Sequence, residues 1–169
     1  MKTLYILRHA KSDWAADYSA DHERPLNKRG VRAAKHIGRF LAMAGEVPSL
    51  ILTSTAVRAK TTVELAAAAG GFEEVPVTTT RSFYESSPGR VLDEVRRTSD
   101  EHASVLIAGH EPTWSGLIEM LTGARVRMVT AGLARIDWDV ERWSEIDGNG
   151  DLTFFMTPRL LKSLLSPSE

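Results

Sequence analysis

The sequence predicts an α/β fold: a three-layer α/β/α sandwich around a mainly parallel central sheet. Two observations carry this. Short apolar, β-branched runs alternate along the chain with segments whose apolar residues recur at helical spacing, the pattern of βα units. The run Ser104–Ala108 is almost wholly apolar, as a strand covered on both faces must be.

Thr3–Leu7 reads as the first strand. Asn27 stands before Val31, Ala34, Ile37, Gly38 and Leu41, so a helix is expected with Asn27 as its cap. Pro48 and Ser49 break it, and Leu50–Thr53 forms the second strand. Ser54 or Thr55 is expected to cap the next helix, which runs to about Ala69 and stops at Gly70-Gly71. Val75–Thr79 is a weaker strand. Ser87-Pro88 opens a third helix carrying Val91, Leu92 and Val95, with proline at its first position. Ser104–Ala108 is the central strand, and Trp114, Leu117, Ile118 and Leu121 mark a fourth helix. Ala134–Trp138 and Leu152–Met156 close the sheet, with Asp147-Gly148-Asn149-Gly150 expected as a hairpin turn between them. Pro158 onward is a tail, with a short helix over Leu160–Leu165.

Composition removes several function classes. The chain has 169 residues, the length of one domain with a core of its own, and a single domain over 1–169 is expected. Absence of cysteine excludes disulfides, thiolate metal sites and a thiol nucleophile together. Balanced charge, 21 Lys+Arg against 22 Asp+Glu, offers no bulk attraction to a phosphate backbone, so no nucleic-acid partner is expected. Normal apolar content, 43%, argues against disorder. The early apolar run Leu4–Leu7 is too short for a signal peptide, and no stretch approaches the roughly 18 apolar residues of a spanning helix. A cytoplasmic protein with no membrane partner, and a monomer, is the expectation.

Ligands of such sheets bind beyond the carboxyl ends of the strands. There the first strand runs into Arg8-His9, the second toward Arg58, the third toward Phe83-Tyr84-Glu85, and the central one into Gly109-His110-Glu111. Two guanidiniums offer forked donors to a tetrahedral dianion. Helix N-termini after the strands add amide donors. A neutral imidazole can attack phosphorus, and a carboxylic acid can protonate a leaving group. The set can transfer a phosphoryl group without a cofactor or a metal. His9, His110 and a carboxylate could supply three metal ligands, but two arginines in the same place oppose a cation.

Leu7-Arg8-His9-Ala10-Lys11-Ser12 resembles the signature of the histidine phosphatase superfamily, whose usual form is Arg-His-Gly. The resemblance continues through Asp21, Arg24-Pro25-Leu26 and Gly30, then Ser54-x-x-x-Arg58-Ala59-x-x-Thr62, then Gly109-His110-Glu111-Pro112. Thr130-Ala131-Gly132 and Pro158-Arg159 look like the short bacterial subgroup that contains the phosphohistidine phosphatases. Each motif is weak alone. Four in order, each at a strand end, are strong together.

The resemblance implies a phosphoglycerate mutase-like fold and a residue set. Arg8 would bind the phosphoryl group and His9 would be the nucleophile. Arg58 would complete the clamp, and His110 would donate to the phosphoryl oxygens. Glu85 matches the general-acid region more loosely. Ser12 keeps the motif's hydroxyl, and Ser12 and Arg24 are candidate substrate contacts; Arg24 could equally pair with Asp21 or Glu23 and fix its loop. Ala10 replaces the glycine, and Ala15 stands where mutase-like members carry a phosphate-touching asparagine. Trp14 reads either as a lid over the pocket or as core. His22 reads as a rim residue at most, and His36 and His102 as surface histidines.

The chain is too short for the inserted caps of mutases and large acid phosphatases. An open site suits a phosphorylated protein, phosphohistidine being the subgroup's implied substrate, or a small exposed phosphate ester, with phosphate as product. A small-molecule phosphomonoesterase, a phosphoglycerate-mutase-like transferase and a non-catalytic phosphate-binding domain remain as alternatives.

Overall fold

A computed structural model describes residues 1–165. Six strands form one sheet: β1 (Lys2–Arg8), β2 (Leu50–Ser54), β3 (Val77–Thr80), β4 (Ser104–Gly109), β5 (Leu133–Trp138) and β6 (Asp151–Met156). Five helices accompany them: α1 (Lys28–Ala44), α2 (Val57–Gly70), α3 (Pro88–Arg96), α4 (Thr113–Thr122) and α5 (Pro158–Leu165). The strand order is β3-β2-β4-β1-β5-β6. The first four positions are mutually parallel; β5 runs antiparallel to β1, and β6 antiparallel to β5.

Alternation along the two middle strands builds the three layers, because successive side chains leave opposite faces. Leu4 and Ile6 of β1, with Val105 and Ile107 of β4, pack under α3 and α4 against Val91, Val95, Trp114 and Leu117. Tyr5 and Leu7, with Leu106 and Ala108, pack under α1, α2 and α5 against Ile37, Leu41, Val63 and Leu161. The α1–α2 crossing is close: a Cβ on Gly38 would lie 1.8 Å from the Ala66 carbonyl oxygen, so glycine is required there.

The expected cap holds for α1, and α3 starts at Pro88 as expected, with a cap of its own. Asn27 accepts from the amide of Gly30, and Ser87 from that of Arg90. Gly71 ends α2 in the left-handed conformation, at φ 70. Two expectations are corrected. Neither Ser54 nor Thr55 caps α2; the cap position is Ala56, with no side-chain bond, and the Ser54 hydroxyl turns to His110 instead. Nor do β5 and β6 meet in a tight hairpin. Residues 139–150 separate them, because Trp143 leaves the edge and buries in the core, its indole donating to the His102 carbonyl. The turn at Asp147-Gly148-Asn149 sits only at the far end of that excursion.

Candidate active site

Parallel pairing decides which residues meet. Arg8 stands opposite Gly109 in the β1–β4 register, so the next residues, His9 and His110, leave the sheet side by side. Their ring centroids lie 5.2 Å apart. β2, the other neighbour of β4, ends at Ser54, and the first turn of α2 behind it carries Arg58. Four of the expected residues, Arg8, His9, Arg58 and His110, are thus gathered at one edge. Arg8, His9 and His110 each feel the charge of Arg58.

His9 is buried, and its Nδ1 lies 2.7 Å from the carbonyl oxygen of Ala10. A carbonyl only accepts, so Nδ1 carries the proton and Nε2 keeps its lone pair. The Ala10 amide is tied in turn to Thr62 Oγ1 at 2.9 Å, and Thr62 donates to the Arg58 carbonyl. Gly30 pins the next residue: a Cβ there would lie 2.1 Å from the Lys11 carbonyl oxygen. Burial, opposed by the Ala10 carbonyl and aided by His110, Arg58 and Arg8, pushes the His9 pKa down to about 3. The ring is therefore neutral at pH 7. His110 is held down to about 4 by burial and by Arg58 and Arg8, with Asp21 acting in the opposite direction.

The arginines are held from behind. Arg8 Nη1 donates to the Met128 carbonyl at 2.9 Å. Arg58 reaches Asp21 twice, from Nη1 to the backbone carbonyl at 2.7 Å and from Nη2 to Oδ2 at 3.0 Å. Tyr84 donates to the same Oδ2 at 3.1 Å, and Arg24 binds Oδ1 at 2.8 Å. The Asp21 carboxyl is lowered from its ordinary value: burial raises it, but the bond from Arg24 and the charges of Arg58 and Arg24 outweigh that. Three buried nitrogens have no hydrogen-bond partner among the described residues: Arg8 Nε, Arg58 Nε and His110 Nδ1. Buried polar groups of this kind are almost always satisfied. An anion with several acceptor oxygens would satisfy all three.

A cleft of about 290 Å³ opens here, lined by Asp21, Arg58, Tyr84, Glu85, Ser86, His110, Glu111, Pro112 and Thr113. Glu85 is exposed on its wall, held at φ 51, a left-handed conformation uncommon for a residue with a side chain. Glu111 does not point its carboxylate at the cleft as a free acid; it accepts from the Ser115 amide and hydroxyl in the first turn of α4. Ser12 and Arg24 are buried and hydrogen-bonded to each other, so they meet the site through Asp21. Trp14 is not core. It is 72% exposed, and the Arg24 guanidinium lies 3.6 Å from its ring centroid. His22 bonds Thr55 Oγ1 at 2.9 Å and stands edge-on to Tyr84, whose ring in turn stands edge-on to His110. The roles of Asp21, Ser54, Thr62 and Tyr84 as holders of the set were not visible in the sequence, although the first three lie inside the recognised motifs.

A model of the histidine phosphatase superfamily (branch 1) matches residues 4–103. The chain belongs to this superfamily. A protein of Mycobacterium leprae (strain TN), itself uncharacterised, is 33% identical over 167 residues, covering 90% of this chain and all of its own. The 2,3-bisphosphoglycerate-dependent phosphoglycerate mutase of Thermobifida fusca (strain YX) is 35% identical over 79 residues, 46% of this chain but 32% of the mutase. Among solved structures, Agrobacterium tumefaciens SixA, assigned as a phosphohistidine phosphatase, superposes with a TM-score of 0.79 at 29% identity, covering 93% of this chain and 98% of its own. The protein histidine phosphatase SixA complexed with tungstate superposes at 0.80 with 22% identity, a likeness of fold. The superfamily's mixed α/β architecture is the one found here, and the match to the mutase spans about a third of the mutase's length.

Proposed function

We propose that this histidine phosphatase hydrolyses an exposed phosphoryl group through a phosphohistidine on His9, and that phosphohistidine in a protein is its substrate class. The observation that carries the reading is the His9 ring: neutral, its Nδ1 proton held on the Ala10 carbonyl, its Nε2 lone pair free beside two arginines and His110.

In the first half-reaction His9 Nε2 forms a bond to phosphorus as the bond to the leaving nitrogen or oxygen breaks. Arg8, Arg58 and His110 donate to the three equatorial oxygens, the work of the nitrogens left without partners. The positive charge that His9 acquires is stabilised by Nδ1–H on the Ala10 carbonyl. In the second, water attacks phosphorus, the N–P bond breaks, and phosphate leaves with His9 neutral again. An oxygen leaving group needs a proton, and Glu85 on the cleft wall supplies it and takes one back from water. An imidazole leaving group needs less help, which suits a site whose one free acid is exposed. Ser12 and Arg24 act at one remove, holding Asp21 against Arg58. The loops around the cleft are short, so a side chain projecting from a protein can reach it, whereas an enclosed sugar phosphate would find no cap.

The test is a parallel assay on a phosphohistidine protein, a phosphoserine peptide and small phosphomonoesters, with EDTA present. Preferential turnover of phosphohistidine is expected. Equal or better turnover of phosphomonoesters would move the substrate assignment to small esters, and loss of activity in EDTA would overturn the metal-free mechanism.

A further inference from the structure

His110 offers a choice that His9 does not. Its Nε2 lies 2.8 Å from Ser54 Oγ, and a hydroxyl can either give or take a proton. The surroundings of Ser54 decide the direction. Ser54 is fully buried at the end of β2, and its Oγ already accepts from the Ala56 amide at 3.2 Å. Among the described residues, the hydroxyl proton meets no acceptor other than His110 Nε2. If the ring donated instead, the buried Ser54 proton would lose its acceptor, and His110 Nδ1 would present a lone pair in place of a proton. That lone pair would also face the oxygens of any bound anion.

We propose that Ser54 is a positioning residue: its hydroxyl donates to His110 Nε2, fixes the ring proton on Nδ1, and so makes His110 a hydrogen-bond donor toward the phosphoryl oxygens. Both site histidines then carry the same tautomer and use opposite ends of it. His9 presents the bare Nε2, and His110 presents the Nδ1–H that has no partner among the described residues. In water an imidazole side chain prefers its proton on Nε2, so this arrangement must be imposed. The Ala10 carbonyl imposes it on one ring and the Ser54 hydroxyl on the other. His110 is neutral near pH 7 because burial and the cations Arg58 and Arg8 face it, with His22 adding to them and Asp21 alone opposing. A neutral ring is the case in which the tautomer matters.

The donor role rests on the phosphatase reading; the tautomer does not, and two readouts separate them. The first is long-range 1H–15N correlation NMR at pH 7 on histidine-labelled protein, with His110 assigned by its loss in His110→Asn. Nδ1–H is expected for the wild type and for Ser54→Thr, and a population with Nε2–H for Ser54→Ala. The second is kinetics: kcat of Ser54→Ala should fall about 10- to 100-fold with KM changed less than about threefold, and Ser54→Thr should restore most of it. An Nε2–H wild type, or a tautomer unmoved in Ser54→Ala, overturns the proposal even in an active enzyme. If Ser54→Ala does not fold, the wild-type spectrum still decides. A shifted tautomer with unchanged kcat overturns the positioning role. An Nδ1–H wild type that turns over no phosphorylated substrate overturns the phosphatase reading and the donor role with it, and leaves the tautomer assignment standing.

Discussion

Two arginine–carboxylate networks lie in this molecule, built from similar parts and finished differently. One joins β1 and β5. Arg135 binds both oxygens of Glu46 at 2.6 and 2.7 Å and Asp137 at 2.9 Å. Tyr5 and Glu46 are bonded, and Thr3 and Thr153 both donate to Asp137. Among the described residues, none of its buried side-chain atoms is left without a partner. The other joins Asp21, Arg24, Arg58 and Tyr84 beneath the cleft, with Arg8 and His110 beside it, and three buried nitrogens there have no partner. Residue type does not separate a stabilising network from a working site. Completeness does: the first satisfies itself, and the second holds its charges still while leaving donors for something else.

Substitutions can break this contrast. The largest effect is expected from His9→Ala, with turnover reduced about 10⁴-fold or more and the melting temperature unchanged within a few degrees; steady-state assay and thermal unfolding measure the two. Retained activity near the wild-type level would remove His9 from the reaction. Next comes a matched pair. Arg58→Ala should cost about 10²–10³ in kcat/KM with stability changed by less than about 1 kcal/mol, because its network is already incomplete. Arg135→Ala should do the reverse, losing about 1–3 kcal/mol in urea unfolding as Glu46 and Asp137 are left without their cation, with activity within twofold. Equal stability losses in the two variants would erase the distinction between the networks.

Glu85→Gln should lower phosphomonoester turnover by about tenfold or more and phosphoramidate turnover by less than about threefold. Identical losses on both substrates would exclude Glu85 as the proton donor.

Acid should also find the incomplete network first. His9 and His110 have folded pKa values of about 3 and about 4, below the ordinary 6.5, so the unfolded chain binds more protons than the native one between those values. Stability from keeping them neutral is complete above pH 6.5 and falls as pH drops toward 4 and then 3. Asp137 is lowered from 3.8, although burial alone would raise it, by bonds from Thr153, Thr3 and Arg135; its contribution is complete above 3.8 and is lost only below that. Near pH 5, unfolding should therefore take up about two protons at these positions, and about one in His110→Asn, measured as the slope of unfolding free energy against pH. The smallest effect is expected from Trp14→Ala: the exposed stack with Arg24 should be worth about 0.5–1 kcal/mol, read by the same unfolding assay.

Much of this was legible before any coordinates. Apolar, β-branched runs and helical spacing located the six strands and five α-helices, and the rule that ligands bind at the carboxyl ends of parallel strands gathered Arg8, His9, Arg58 and His110. What stayed hidden was the direction of short polar side chains. A serine after a strand and before a helix has two uses, and local sequence favours the cap; only the neighbouring strand shows that Ser54 serves His110. The Asp21–Arg58 bond spans 37 positions, so no spacing rule reaches it. The turn residues Asp147–Gly150 were real, but the burial of Trp143 moved the strand end away from them.

The β1 register has a further consequence, for synthesis. β1 holds Arg8 and leads into His9, yet both its neighbours come from far downstream, β4 at Ser104–Gly109 and β5 at Leu133–Trp138. A strand made well before its partners must wait for them. At about 5–20 residues per second, the nascent chain carries this apolar segment unpaired for roughly 5–25 s. Lys2 and Arg8 flank it with positive charge, which discourages two waiting chains from pairing with each other. A ribosome stalled before β4 would therefore display an inert and adhesive segment, so the nucleophile becomes competent only once β4 and β5 have been made.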